Sequence, residues 1–233
     1  MGFPEVYDFL ERLRQKNNKE WMDAHRKEYH RIRTYFVSWL DQLNERLAAV
    51  DFGYFDTPGK KSINRINNNL MFHPNKPIYK DHLAAGLDQR TKQGDFYIEI
   101  GVKHNLLAGG YWRPEAKLLR SIRDAIDYNG EELVAIIEKR SFKKYFKGLY
   151  QDQKLTNAPK GYTNDHPHIT LLRHKTFGVE LELTKAQVLD THFQEFCIEV
   201  YLEMLPFRRY LSCLLYTSPS PRDQRGSRMP SSA

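Results

Sequence analysis

The chain has 233 residues, 40% of them apolar, and a formal net charge of +7, enough apolar content for one large core and only a mild bias toward anionic partners. No apolar run approaches the ~20 residues of a membrane span. The N-terminus, Met1-Gly2-Phe3-Pro4-Glu5, lacks the basic-then-apolar pattern of a secretory signal, so a cytoplasmic protein is expected.

Val6, Phe9, Leu10 and Leu13 recur at helical spacing behind Pro4, which predicts a helix over residues 4–16. Asn18 is placed to cap a long second helix with an apolar stripe through Trp21, Tyr29, Ile32, Phe36, Trp39, Leu40, Leu43 and Leu47. His25 and His30 ride on it with no third ligand at helical spacing, so they are expected to pack rather than to bind a metal. Gly53, Pro58 and Gly59 end the helix.

The stretch from Thr57 to Lys80 carries Lys60, Lys61, Arg65, Lys76 and Lys80 with no Asp or Glu, which is a composition that faces anions. His73-Pro74 and Lys76-Pro77 keep it from being a long helix, and one short strand is expected near Ser62 to Ile66. Residues 96–102 alternate strictly, with Phe96, Ile98, Ile100 and Val102 on one side; this is the clearest strand in the chain. Lys103-His104-Asn105 turns it into a second strand, Leu106 to Trp112, where Gly109-Gly110 predicts a bulge or a close approach of backbone.

Pro114-Glu115 opens a helix stopped at Asn129-Gly130, and Glu131 to Arg140 reads as another. Tyr145 to Leu155 is weakly strand-like, residues 157–162 form a turn, and a short helix follows Asp165-His166-Pro167. Val179, Leu181 and Leu183 alternate with Glu180 and Glu182 as a strand; Thr184 then caps a last helix that Pro206 should end. Cys197 falls on the apolar side of that helix and reads as inert packing. Helices at both ends around hairpin-connected strands predict an α+β fold with an antiparallel or mixed sheet in a single domain over residues 1–212.

From Cys213 onward the chain resembles a translated sequencing-library adapter: Cys-Leu-Leu-Tyr-Thr-Ser-Pro-Ser-Pro-Arg-Asp, a three-residue index Gln224-Arg225-Gly226, then Ser-Arg-Met-Pro-Ser-Ser-Ala. On this reading residues 213–233 are a non-native, disordered tail, and Cys213 has no part in the chemistry. Arg222, Arg225 and Arg228 against Asp223 carry +2 of the charge, which leaves about +5 for the rest.

Several segments, in this order, resemble the uncharacterised bacterial and fungal family catalogued as domain of unknown function 2461. They are Lys61-Ser62-Ile63, Arg65-Ile66-Asn67, Phe72, Lys76, Tyr79-Lys80, Gly109-Gly110, Pro114-Glu115, Leu119, Arg123, Ile126, Ala158-Pro159-Lys160-Gly161-Tyr162, Asp165-His166-Pro167, Leu172-Arg173 and Lys175. The resemblance covers about residues 3–205 and implies one α+β domain with no established activity, substrate or cofactor. Where many relatives carry arginine, aspartate and arginine, this chain has Asn68, Asn69 and Met71, which weakens the local positive charge.

The functional reading that follows is a basic cleft for a small phosphate- or carboxylate-bearing ligand, with no cofactor and no metal. Lys61, Arg65, Asn67, Lys76, Tyr79 and Lys80 would line one side, Gly109 and Gly110 would admit backbone N–H groups, and Lys160, Arg173 and Lys175 would close the other. Tyr79, Tyr111, Trp112 and Tyr162 are candidates to stack a ring. The alternative is a nucleic-acid-binding module on the same basic and aromatic residues, although a charge of about +5 is low for one. Whether the protein is an enzyme stays open; His166 with Asp165 is the weak candidate for a general base. No Walker loop, dinucleotide fingerprint, nucleophile elbow or zincin helix is present. No membrane partner is expected, and the oligomeric state is not legible.

Overall fold

The computed structural model describes residues 1–89, 96–152 and 154–213. Its α+β domain is built on a four-stranded antiparallel sheet in the order β1-β2-β3-β4, formed by His82–Leu87, Phe96–Gly101, Asn105–Tyr111 and Phe177–Glu182. Each strand pairs with its sequence neighbour, so the sheet is a plain meander. One face carries Leu83, Ala85, Leu87, Phe96, Ile98, Ile100, Leu107, Tyr111, Phe177 and Val179, all buried. Helices from both ends of the chain cover that face.

Helix α1 (Phe3–Gln15) buries Phe3, Val6, Phe9, Leu10 and Leu13, the spacing expected of it, and its Tyr7 hydroxyl donates to Asn105 Oδ1 at 2.6 Å at the start of β3. The long second helix divides in two. Asn18 caps α2 (Lys19–Ala24) by accepting from the Trp21 N–H at 2.8 Å, and α3 (Arg26–Val50) restarts after His25. The break is held by His25 itself, whose ring stacks on Trp21 with centroids 4.0 Å apart and hydrogen-bonds the Trp21 carbonyl through Nδ1. Packing of this kind accounts for His25 without a ligand.

The stretch after α3 is fastened from within. Asp41 Oδ1 accepts the Gly59 N–H, Asn44 Nδ2 donates to the Thr57 carbonyl, and the single turn α4 (Gly59–Ser62) follows. In place of the short strand expected near Ser62 to Ile66 there are two isolated bridges, Ile63 to Ala85 and Asn67 to Tyr79, so residues 63–80 run out along β1 and return.

Helix α5 (Ala116–Glu138) holds the two helices expected there, broken by non-helical dihedrals at Asn129 where the sequence placed the stop. Gly130 is required just beyond it, because a Cβ there would lie 2.5 Å from the His168 ring. Helix α6 (Arg140–Tyr145) replaces the start of the weakly strand-like segment; of that segment only Tyr150 meets the sheet, its N–H donating to the Gly178 carbonyl at 2.9 Å. The turn α7 is Ile169–Leu172.

Thr184 caps a short helix, α8 (Lys185–Leu189), rather than the last long one. Helix α9 (Phe193–Cys213) then runs straight through Pro206, where the sequence suggested a stop. Its continuation is bound to the core: Phe207 and Leu211 are buried, and Arg208 Nη2 reaches the buried Asp88 carboxylate. The burial of those side chains outweighs the one backbone hydrogen bond that proline removes. Cys197 is fully buried on α9, and that burial pushes its thiol far above the ordinary range, away from reactivity. The adapter-like tail beyond residue 213 lies outside the described residues. No helix among the described residues is long and apolar enough to cross a membrane.

Candidate functional site

The strand register puts a second set of side chains on the face turned away from the helices. Gly86, Tyr97, Ala108 and Glu180 form one row across the four strands, and Ala84, Glu99, Leu106 and Glu182 form the next. Gly110 and Gly178 face each other in the row beyond Ala108. The middle of this face therefore has almost no side chains. Between Tyr97 and Leu106 on one side and Trp112 and Tyr150 on the other lies an apolar hollow of about 470 Å³ over Ala108, Gly110 and Gly178.

Gly110 is required by the backbone at this point. Its φ is +98°, and a Cβ there would sit 2.3 Å from the Phe177 carbonyl oxygen. The Gly-Gly pair is thus a close backbone approach, not a bulge, since the β3–β4 register runs through it without a skip. Trp112 is 54% exposed and meets Tyr150 edge-to-face with centroids 4.7 Å apart. Tyr150 in turn is fixed by its backbone: its N–H bonds Gly178, and its carbonyl takes the hydrogen bond of His174 Nδ1 at 3.0 Å. His174 is buried, and desolvation first, then the charge of Lys154, lowers its pKa to about 4. It therefore stays neutral, with Nδ1 as the donor.

Polar groups gather beyond Tyr97, at the end of the sheet where β1 begins. The Tyr97 hydroxyl donates to Glu99 Oε2 at 2.7 Å, and burial first, then the Glu99 charge, drives its pKa well upward. His82 Nε2 lies 3.7 Å from the same carboxylate. Lys80 Nζ donates to the Arg65 carbonyl at 2.8 Å, which uses one of its three N–H groups. Its pKa is lowered: burial is the largest cause, Glu99 acts against it, and Arg65 and Lys76 add to it by their like charge. Lys80, Arg65 and Lys76 thus form a mutually repelling cationic cluster beside Glu99, outside the hollow.

Of the other residues singled out on this side, Asn67 and Tyr79 serve the backbone. They pair with each other as a bridge, and Asn17 grips the Tyr79 peptide from below. Tyr79 and Tyr111 are 6% and 3% exposed, so neither presents a ring for stacking. Lys61 is exposed on α4.

The remaining candidates lie elsewhere. Arg65 and Lys80 flank the start of β1, whereas Arg173 and Lys175 immediately precede β4, three strand spacings or roughly 14 Å across the sheet and at the opposite end of its strands. A single phosphate or carboxylate group reaches one set or the other. Lys160 lines a groove of about 470 Å³ with Arg120, Arg123, Asp124 and Tyr162 along α5. Arg173 Nη2 donates to Asn164 Oδ1 at 3.0 Å, and Lys175 is exposed. Arg123 binds the Leu172 and His174 carbonyls, and the Tyr162 hydroxyl donates to Asp124, so both hold the 158–175 segment to α5.

His166 is occupied at both nitrogens. Nε2 pairs with Asp127 Oδ1 at 2.9 Å, and Nδ1 accepts the His168 N–H at 3.0 Å, which leaves no free lone pair to take a substrate proton. Asp165 is exposed, its carboxyl held below the usual range chiefly by a hydrogen bond from the Thr163 side chain. Among the described residues no three His, Cys, Asp or Glu side chains come together as a metal ion would need.

The family model described as a conserved hypothetical protein, DUF2461, matches residues 5–210, nearly the whole described chain. The chain belongs to the DUF2461 family. No curated protein and no solved structure matches it. The description of DUF2461 assigns no reaction, so the functional reading rests on the geometry above.

In this DUF2461 chain the sequence pointed to Gly110 and Trp112 but not to Tyr97, Tyr150 or Gly178. The signal for Tyr97 was present: it sits on the non-core side of the most regular strand, next to Glu99, where an aromatic ring has no core to fill. Gly178 becomes visible only through the register that sets it opposite Gly110. Nothing in the sequence near Tyr150 indicated that one backbone hydrogen bond would hang it on the edge of β4.

Proposed function

We propose that this DUF2461 protein binds a small anionic ligand with a flat, largely apolar ring system on the open face of its sheet. The ring would lie over Gly110 and Gly178 between Tyr97 and Trp112. Its carboxylate or phosphate would turn toward Arg113, whose guanidinium lies over the Trp112 ring, 5.6 Å from its centroid. The carrying observation is the floor: facing glycines backed by alanine leave a hollow of about 470 Å³ between aromatic walls, in the size range of small-ligand pockets.

A long polyanion is the second reading, supported by the exposed Trp112 and the acid-free 57–80 stretch. Glu99, Glu180 and Glu182 on the same face oppose it, because a phosphate backbone laid across the sheet would meet their like charge.

The test is a thermal-shift and calorimetric titration with naphthoate, nucleoside monophosphates, inorganic phosphate and single-stranded RNA at low and moderate salt. The proposal expects saturable binding of a ring-bearing anion that is lost in Arg113→Met and in Gly178→Val, with phosphate alone weak. A ligand at ~100 times its dissociation constant adds roughly 2.7 kcal/mol of stability. Binding of RNA only, falling steeply with salt, would replace this reading with the second.

A further inference from the structure

The edge of the sheet at β4 has properties that the proposed ligand face does not use. The Leu183 N–H donates to the Asn105 carbonyl of β3 at 2.7 Å. By the alternation of an antiparallel ladder, Phe177, Val179 and Leu181 likewise turn their N–H and C=O groups toward β3. Gly178, Glu180 and Glu182 therefore turn theirs outward, to the free side of the sheet. Tyr150 takes the Gly178 carbonyl; among the described residues no backbone partner meets Glu180 or Glu182.

Beside those unpaired groups runs a groove of about 800 Å³, with the segment from Tyr145 to Asp152 as its far bank and Glu180 to Thr184 as its near one. Leu149, Leu181 and Leu183 give it apolar surface below the plane of the edge, and Glu180 and Glu182 stand above. Exposed edges are ordinarily blunted by lysine, proline or a bulge. The β4 sequence Phe177-Gly-Val-Glu-Leu-Glu182 has neither lysine nor proline, and its register is unbroken.

We propose that the free edge of β4 captures an extended peptide of another protein in which lysine or arginine alternates with apolar residues. Added as a fifth strand, such a peptide would bond to the outward N–H and C=O groups of Glu180 and Glu182. Its basic side chains would lie opposite the two glutamates and its apolar ones toward Leu149 and Leu181. The charges specify this occupant. Asp152, Glu180 and Glu182 line the groove against Lys147, and the carboxyl of Glu180 is raised, first by burial and then by Glu182, so a cation there relieves an existing repulsion. A second copy of this chain is disfavoured by the same charges, because antiparallel pairing of β4 with itself sets glutamate against glutamate on one face.

The test uses the full chain and synthetic peptides followed by fluorescence anisotropy at physiological salt. The probes are a labelled alternating lysine–valine peptide, its glutamate–valine counterpart, and two versions of the first, N-methylated at the lysine amides or at the valine amides. The lysine amides face the edge and the valine amides face away. The expected result is saturable binding of the lysine–valine peptide, weakened at least tenfold by methylation at lysine and unchanged by methylation at valine. Glu182→Lys should shift the preference toward the glutamate–valine peptide by a factor of about five or more. Absence of binding, equal loss from both methylations, or binding indifferent to lysine methylation would each overturn the proposal.

Discussion

Asn17 holds the Tyr79 peptide by both of its edges: Nδ2 donates to the Tyr79 carbonyl at 2.9 Å, and Oδ1 accepts the Tyr79 N–H at 2.9 Å. This one amide joins the end of α1 to the returning limb of the 63–80 stretch, just before Lys80. Asn17→Ala leaves the donor and the acceptor of a buried residue unmatched, at a cost of about 1–3 kcal/mol. Asn17→Asp restores only the acceptor and should recover little. Urea unfolding of the three proteins measures this.

Gly110 and Gly178 face each other but should respond differently to alanine. At Gly110 the new Cβ would meet the Phe177 carbonyl at 2.3 Å in a backbone with φ of +98°. Gly110→Ala is expected to cost about 1–3 kcal/mol from backbone strain alone. At Gly178 the nearest atom would be the Gly109 carbonyl at 3.3 Å, a tight contact with no left-handed backbone. Gly178→Ala should stay within about 1 kcal/mol of the parent, while Gly178→Val fills the hollow. Thermal unfolding separates the two glycines.

His174 makes stability depend on acid. Its folded pKa, about 4, lies below its ordinary value of 6.5, so between those limits the unfolded chain binds the extra proton. Stability contributed by the neutral, buried ring is present above pH 6.5 and is lost as pH falls toward 4, with a slope of up to ~1.4 kcal/mol per pH unit. Replacement by Asn removes the titrating group, so the gap between parent and His174→Asn should narrow on acidification through that window. A gap constant from pH 7 to 4 would show that folding leaves the ring's pKa unshifted.

Arg208 and Asp88 form a buried ion pair, 5% and 6% exposed, in which Asp88 also accepts from the Phe55 N–H and from the Tyr201 hydroxyl. Arg208→Met would leave the carboxylate buried with its charge unmatched, at about 3–5 kcal/mol. Asp88→Asn in the same background should return much of that loss, since the strained requirement is for charge balance. A double-mutant cycle by urea unfolding reads the coupling directly.

Periodicity made β2, β3, β4 and the amphipathic helices legible, because Phe96, Ile98 and Ile100 or Val6, Phe9 and Leu10 mark a buried side by spacing alone. Strand β1 was not legible. His82-Leu-Ala-Ala-Gly-Leu87 has no β-branched residue and no polar alternation, and becomes a strand because Ile63 and Asn64 flank it on one side and β2 on the other. The same tertiary override carries α9 past Pro206. At the candidate site, the sequence marked cations by type, and the sheet then separated Lys80 and Arg65 from Arg173 and Lys175 by its own width. The Lys160 and His166 neighbourhood read as chemistry in the sequence, while its side chains bind one another: Arg123 to carbonyls, Tyr162 to Asp124, His166 to Asp127.

Because the meander pairs each strand with its sequence neighbour, the sheet can assemble as β1 to β3 leave the ribosome, before β4 has been made. Its greasy side cannot be covered then. Phe96 waits for Tyr201, and Phe3 and Trp39 wait for Phe193, both on α9, which is made after the whole sheet. From the making of β1 until α9 emerges, this protein therefore exposes a ready-made adhesive surface, and any stall in elongation in that interval would leave a chain suited to aggregation or to a chaperone.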